Sequence, residues 1–193
     1  MSSSSNSDTS VEMEVVLLDT DYNQITIKQT VNGSTKTAVG PANGFRVISL
    51  INIGSVLQVG DVVVYGDSTT SNGVPDDLTK LLAVSTVEKQ QCGMAVYTVP
   101  KGKQAQLLNI NVSGTRTQNS GSLDADLYIR TANGVPRIIG ERGVQTAGES
   151  SVNYDFPVPV TFEAGTDMYI TATSAVSNYD VSGGFVLLIE DVK

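Results

Sequence analysis

Apolar and polar residues alternate with a period of two along much of the chain, the pattern of strands with one buried face. The clearest example is Met94–Ser113, in which two runs rich in β-forming residues flank a turn at Pro100–Gly102. In the second run, Leu108, Ile110 and Val112 alternate with asparagines. We therefore predict a β-hairpin whose Leu108 and Ile110 face the core, so that an aspartate at either position would abolish soluble folding.

The first half of the chain carries similar runs between two polar stretches. Val11–Leu17 alternates in the same way, and further strands are predicted over 45–53 and 56–65, the second with a bulge or bend at Gly60–Asp61. Residues 1–10 are almost all Ser, Asn, Asp and Thr, too polar to bury, and are predicted to form a disordered arm. The polar stretch 66–80 is predicted to be a loop or linker.

The second half of the chain offers about eight strand-like runs at intervals of roughly 8 to 12 residues, the spacing of a sandwich or barrel. Pro157 and Pro159 interrupt one of these runs. Because proline cannot donate to a sheet ladder, that run belongs at a sheet edge or at a crossing between sheets.

Together these patterns predict an all-β protein built as an antiparallel β-sandwich. A smaller N-terminal β unit occupies residues 11–65, and a jelly-roll-like C-terminal unit occupies residues 81–193.

Composition narrows the expected partners of the 193-residue chain. Its net charge is −8, so nucleic acid and anionic membranes are not expected partners. No apolar run approaches the ~20 residues that span a bilayer, and the N-terminus lacks the basic and apolar regions of a signal peptide. The expectation is a soluble protein made in the cytosol.

The chain has no histidine and a single cysteine, Cys92. Catalysis by Ser-His-Asp or Cys-His arrangements and the usual zinc sites are therefore excluded, as is an intramolecular disulfide. A glycosidase with two carboxylates stays open, because the separation of two carboxylates is a property of the folded structure. We expect no enzyme activity and no cofactor.

Asp19, Asp21 and Asn23 match the first three ligand positions of a calcium-binding loop. The match then fails, because Gln24 replaces the glycine of the sharp turn and Thr30 stands where a bidentate glutamate is expected. The pattern favours a polar turn between two strands, with cation binding as the alternative.

Outward-facing tyrosines and arginines of the second half are candidates for contacts with another protein, since both residue types are frequent at interfaces. The alternative is an ordinary solvated sheet face. The candidate interface residues are Tyr97, Tyr128, Arg130, Arg137 and Arg142.

A series of segments in fixed order carries a resemblance to a known family: Leu18–Ile25, Val31–Thr35, Phe45–Ile48, Met94–Lys103, Phe156–Pro159, Asp167–Ser174 and Asp180–Phe185. By their order and spacing, nearly the whole chain from Val11 onward resembles the virion structural proteins of tailed bacteriophages. The resemblance implies a non-enzymatic particle component made in the host cytoplasm and carries over no catalytic residue.

Within a virion, the acidic charge disfavours a position beside packaged DNA. The leading hypothesis is a capsid decoration or cement protein on the exterior, bound to the major capsid protein or to other virion proteins. The alternative in the same setting is a neck, tail or fibre-attachment protein, and the competing class is a carbohydrate-binding β-sandwich that recognises the host surface. By fold analogy we expect a homo-oligomer, with a trimer favoured.

Overall fold

The computed structural model describes residues 1–41, 44–92, 95–115, 121–132, 134–146, 149–174 and 180–192, and for residues 121, 141–146, 149 and 180 it describes the backbone alone. The described chain is all-β, as predicted, with antiparallel pairing throughout and a single short 3-10 turn at Leu78–Lys80. It divides into two compact units, Met1–Met94 and Ala95–Lys193.

The described residues of the first unit form eight strands. They are β1 (Ser2–Ser3), β2 (Glu12–Asp19), β3 (Gln24–Thr30), β4 (Gly44–Asn52), β5 (Val62–Tyr65), β6 (Thr70–Ser71), β7 (Val74–Pro75) and β8 (Leu81–Ser85). They make sheets of order β3-β2-β4 and β1-β5-β8 and a small hairpin, β6-β7. The predicted face of Val11–Leu17 is confirmed, because Met13, Val15 and Leu17 are buried in the core of this unit.

The predicted disorder of residues 1–10 is wrong. β1 pairs with β5, Ser2 opposite Val63, and the Met1 side chain is buried in the core. The arm is ordered although its side chains are polar, because those polar groups bond to the protein itself. The Ser2 hydroxyl, for instance, donates to the carbonyl of Gly73 (2.6 Å). Composition predicts disorder only where polar groups lack such partners.

The predicted linker over 66–80 is also a structured part of the first unit. Asn72 and Gly73 both have positive φ (50° and 77°), as the central residues of the tight β6-β7 turn require. β8 then pairs with β5 in the same sheet. The boundary between the two compact units lies after Met94, not within 66–80.

Where the second unit is described, it contains seven strands: β9 (Val96–Thr98), β10 (Lys103–Thr115), β11 (Gly121–Arg130), β12 (Arg137–Thr146), β13 (Glu149–Phe162), β14 (Asp167–Ser174) and β15 (Asp180–Asp191). Their two sheets have the orders β13-β10-β15 and β12-β11-β14-β9. Numbered as the second to eighth strands of an eight-stranded jelly roll, they reproduce both of its sheet orders. No described strand occupies the position of the first, which would pair with β15. Leu107 of β10, Leu127 of β11 and Met168 of β14 pack in the core between the sheets.

The hairpin predicted over Met94–Ser113 is not formed. β9 pairs with β14, whereas β10 pairs with β13 and β15, so the two runs belong to different sheets. The turn at Pro100–Gly102, with Gly102 at φ 76°, carries the chain across the sandwich. A period-two pattern identifies strands but does not tell which sheet each one joins.

The core face of β10 changes parity at Leu108. The register of β10 shifts between Leu107 and Asn109 against both neighbours, so Leu108 occupies a β-bulge. Leu107 is fully buried, Ile110 packs against the core as predicted, and Leu108 is only half-buried. The prediction that Leu108 faces the core is therefore wrong, because the bulge rotates the strand at that residue.

The edge position predicted for the proline-containing run is confirmed. β13 lies at the edge of its sheet, with β10 as its neighbour. Its register jumps from Val160, opposite Leu107, to Asp155, opposite Asn109. Pro157 and Pro159 fall within this gap, where no ladder hydrogen bond is demanded of them.

Candidate functional site

The Asp19 carboxylate organises the turn between β2 and β3. Its Oδ1 accepts hydrogen bonds from the backbone N–H groups of Asp21 and Asn23, both at 2.9 Å, and its Oδ2 accepts from Asn23 Nδ2 at 3.0 Å. These bonds account for the Asp-x-Asp-x-Asn pattern as a turn motif. Cation binding by Asp19, Asp21 and Asn23 stays an alternative prediction.

Arg130, a predicted interface residue, binds within its own sheet. Its Nε donates to Asp167 Oδ2 at 2.9 Å, and its Nη2 bonds to the same oxygen. Asp167 is buried and also accepts from the Thr98 hydroxyl at 2.5 Å. The three residues lie side by side on β11, β14 and β9, so Arg130 joins three strands.

Tyr128 is stacked on Tyr169 of the neighbouring strand, with ring centroids 5.2 Å apart and planes 4° apart. Tyr97 is half-buried against the core, and this burial raises the pKa of its hydroxyl group. Both aromatic rings are thus partly occupied by contacts within their own unit.

The remaining two interface candidates lie on β12. Arg137 is exposed at the start of the strand, whereas the side chain of Arg142 lies outside the described residues. The structure does not gather the predicted interface residues into one described cluster.

A different feature, which sequence reasoning missed, stands out in the first unit. Residues Gly54–Val59, here called the apolar loop, follow β4 on the way to β5. Their burial is the reverse of the usual pattern, because the apolar side chains are exposed and a polar one is buried. Val56, Leu57 and Val59 are 46%, 69% and 64% exposed, while the polar Gln58 is 3% exposed. An exposed apolar group beside a buried polar one is the informative departure from ordinary burial.

Gln58 anchors the apolar loop through its amide. Its Nε2 donates to the Ser85 carbonyl at 2.7 Å, and its Oε1 accepts from the Ser85 hydroxyl at 3.0 Å. Its backbone N–H donates to Gln90 Oε1, also at 3.0 Å. Because the amide is satisfied inside the protein, the side chains on either side of Gln58 point outward.

Both ends of the apolar loop are held as well. Asn52 Nδ2 donates to the Val56 carbonyl at 2.9 Å, and Asn52 Oδ1 accepts from the Gly54 N–H at 3.0 Å. At the other end, the buried Asp8 carboxylate accepts from the N–H groups of Val59 (2.8 Å) and Gly60 (2.9 Å). The loop is therefore presented in one fixed conformation.

The segments that hold the apolar loop carry further exposed apolar side chains. Ile53, directly before the loop, is 41% exposed. Val87, whose carbonyl accepts from the Gln90 side chain, is 39% exposed. Exposed apolar side chains grouped in this way are typical of surfaces that bind another molecule.

The sequence signal for this loop was ambiguous. Residues 56–65 form an apolar run that predicts a strand with a bulge or bend at Gly60–Asp61, but only Val62–Tyr65 is a strand. Gly54 and Gly60 bracket the loop, and a Cβ on Gly60 would lie 2.5 Å from the backbone nitrogen of Ser5. Long-range bonds to Gln58 and Asp8 fix the loop, and neither bond has a local signature.

A second feature is an apolar cavity of about 230 Å³ between the two sheets of the second unit. Its lining includes Ile110 of β10, Leu127 of β11 and Ile170 of β14. Among the described lining residues, Tyr154 contributes the one hydroxyl group and none carries a charge.

Within the described parts of the chain, no group of three or more Cys, Asp or Glu residues is placed to hold a metal ion. No helix in those parts is long and apolar enough to cross a membrane. Comparisons with protein-family models, curated proteins and solved structures give no match.

Proposed function

We propose that this protein is a non-enzymatic structural component of a tailed-phage virion, a decoration or cement protein that attaches to the capsid exterior through the apolar loop. The observation that carries the attachment is the reversed burial of Gly54–Val59, with three apolar side chains outside and Gln58 inside. The virion setting is supported by the resemblance of the segments from Leu18 to Phe185.

The rigidity of the loop supports a binding role. Docking a preformed surface costs less conformational entropy than ordering a flexible one. Leu57, the most exposed of the three side chains at 69%, is suited to enter an apolar depression on the partner. Binding to the assembled shell and not to its free subunits would stabilise the shell by mass action.

The test is binding of labelled protein to purified capsids that lack it, with purified tails as a parallel target. Wild-type protein is expected to co-sediment with capsids. The double variant Leu57→Ser/Val59→Ser is expected to bind at least about tenfold more weakly, since two apolar contacts are lost. Its fold should persist, because both side chains are exposed.

Leu78→Ser is the matched control, because Leu78 is 66% exposed in the same unit but lies outside the apolar loop. It is expected to bind like wild type. Assembly on tails and not on capsids would move the protein to the neck or tail. Equal binding by the double variant and the control would exclude the loop as the attachment site.

A further inference from the structure

The two edges of the three-stranded sheet β13-β10-β15 differ in how they are protected. On the β13 edge, Pro157 and Pro159 and a broken register block the addition of another strand. On the β15 edge there is no proline, and the run from Val181 to Ile189 contains no charged residue. An uncharged, proline-free edge strand of this length is a template for pairing.

The β15 edge is also partly apolar on the surface. Val186 and Leu188 are 49% and 44% exposed on the outer face of the sheet, and Ile189 is 37% exposed although its parity points to the core. β10 is the only neighbour of β15 among the described strands. Another strand laid along β15 would cover these side chains.

No described strand occupies the position next to β15 at this edge. The first strand of a jelly roll would pair with β15, and it would come from the chain directly before β9. Here the strand before β9 is β8, which pairs with β5 in the first unit. A strand from another molecule can occupy the position.

No described contact within the chain requires a glycine at Gly183 or Gly184 of β15. Neither has positive φ, and a Cβ at either position would make only ordinary contacts, the nearest at 3.6 Å and 3.5 Å. Glycine within a strand weakens it and often marks a place where another backbone approaches closely. These two glycines are an independent sign of a neighbour at this edge.

We propose that β15 pairs antiparallel with β15 of a second copy about a twofold axis at Leu187, which joins the two sheets into one. In this register Val186 of one copy lies opposite Leu188 of the other. Glu190 and Asp191 then lie opposite Gly184 and Gly183 of the partner copy, so no acidic side chains face each other directly. The strand is thus complementary to itself, as a twofold interface requires.

The first test is the mass of the full-length protein in solution by light scattering and sedimentation. We expect twice the 20.3 kDa chain mass, with dimerisation favoured by added salt because each copy carries a net charge of −8. Leu188→Lys is expected to weaken dimerisation at least about tenfold, as an edge lysine does. Val158→Lys, on the opposite edge strand, is the control and should leave the dimer intact.

Cross-linking tests the register. Val186→Cys and Leu188→Cys are made separately in a Cys92→Ala background and then mixed and oxidised. Directly opposed residues are within disulfide reach, whereas Val186 and its own symmetry mate are roughly 7–8 Å apart. The mixture should therefore form a disulfide-linked dimer and each single variant should not.

A monomer at all concentrations, the trimer expected from fold analogy, or a dimer unaffected by Leu188→Lys would overturn the proposal. Equal cross-linking in the single variants and in the mixture would overturn the register at Leu187. The apolar loop is unchanged in all these variants, so capsid binding can succeed or fail independently.

Discussion

A Cβ atom added to Gly73 would lie 1.8 Å from the carbonyl oxygen of Ser3. The N-terminal arm therefore runs directly over the β6-β7 turn, in space that only a glycine leaves free. Gly33 and Gly60 leave similar space for Asn6 and Ser5. A Cβ atom added to Gly33 would lie 2.9 Å from a backbone atom of Asn6, and one added to Gly60 would lie 2.5 Å from a backbone atom of Ser5. Three glycines distant in sequence thus accommodate one arm.

A side chain at position 73 should therefore displace the N-terminal arm from the β6-β7 turn. Gly73→Ala adds a clash with the Ser3 backbone to the strain of an alanine at φ 77°. We expect a loss of about 3 kcal/mol in the free energy of unfolding, measured by urea denaturation. Hydrogen exchange should show the loss of protection at Ser3, whose N–H donates to the Gly33 carbonyl.

Gly102→Ala is the control for this variant. Gly102 has nearly the same φ, 76°, but a Cβ there meets nothing within 4 Å. It should cost only about 1 kcal/mol, the price of the backbone conformation alone. Equal losses for the two variants would mean that the arm does not press on Gly73.

Asp8 connects the arm to the apolar loop. Its buried carboxylate accepts from the Ser3 hydroxyl at 2.5 Å and from the N–H groups of Val59 and Gly60. Asp8→Ala leaves these buried donors without their acceptor and should cost about 2–4 kcal/mol of stability. Asp8→Asn keeps one acceptor oxygen and should cost less.

Asp8→Ala should also affect the apolar loop, the proposed binding surface. Because Asp8 holds Val59, Asp8→Ala is expected to increase hydrogen exchange at Val59 and Gly60 and to weaken capsid binding. Unchanged exchange at these two amides would contradict the link between the arm and the loop. The two assays are read on folded protein, below the temperature at which the variant unfolds.

The β-bulge of β10 predicts opposite outcomes for two adjacent leucines. Leu107 is fully buried between the sheets, so Leu107→Ala should lose about 2–5 kcal/mol in urea unfolding. Leu108 is half-buried at the bulge, and Leu108→Ala should lose clearly less. A larger loss at Leu108 than at Leu107 would place the bulge elsewhere.

Leu107 and Leu108 show which features of the fold the sequence predicts and which it does not. Alternation correctly predicted the inward face of Val11–Leu17, because period two is a local property of a strand. It failed at Leu108, since an inserted residue reverses parity without a mark in composition. The edge position of the strand that contains Pro157 was predictable, because proline lacks a backbone N–H whatever its surroundings.

The apolar loop and the arm were not predictable for a shared reason. Gln58 is buried because of Ser85 and Gln90, and Asp8 is buried because of Val59 and Gly60. These partners lie 27 to 52 residues away along the chain. Single-sequence patterns measure neighbours within a turn or a strand, so contacts at this range stay invisible to them.

Arg130 is expected to act on stability and not on partner binding. Arg130→Ala removes the cation beside the buried Asp167 carboxylate and should cost about 2–4 kcal/mol in urea unfolding, although partial exposure of Arg130 keeps it below the largest values. Arg130→Lys keeps the charge but loses the paired N–H groups, so an intermediate loss is expected. Unchanged stability with weakened assembly would restore Arg130 as an interface residue.

Where Met1 carries a free α-amino group, stability should also depend on pH through that group. Burial, assisted by the charge of Lys36, lowers the pKa of this group from 8.0 to about 6, and its nitrogen bonds to the Thr37 carbonyl at 2.8 Å. The folded state then binds the proton more weakly than the unfolded state does. The free energy of unfolding should therefore rise as pH increases from about 6 to 8.

The size of this rise follows from the shift. Two pKa units correspond to at most ~2.7 kcal/mol, and solvent screening of a partly exposed group reduces the expected change to about 1 kcal/mol. Urea unfolding of wild-type protein at pH 6 and pH 8 measures it. N-terminally acetylated protein, which has no charge at Met1, is the control and should lack this part of the rise. Identical pH dependence in the two proteins would show that the amino group is solvated in the folded state.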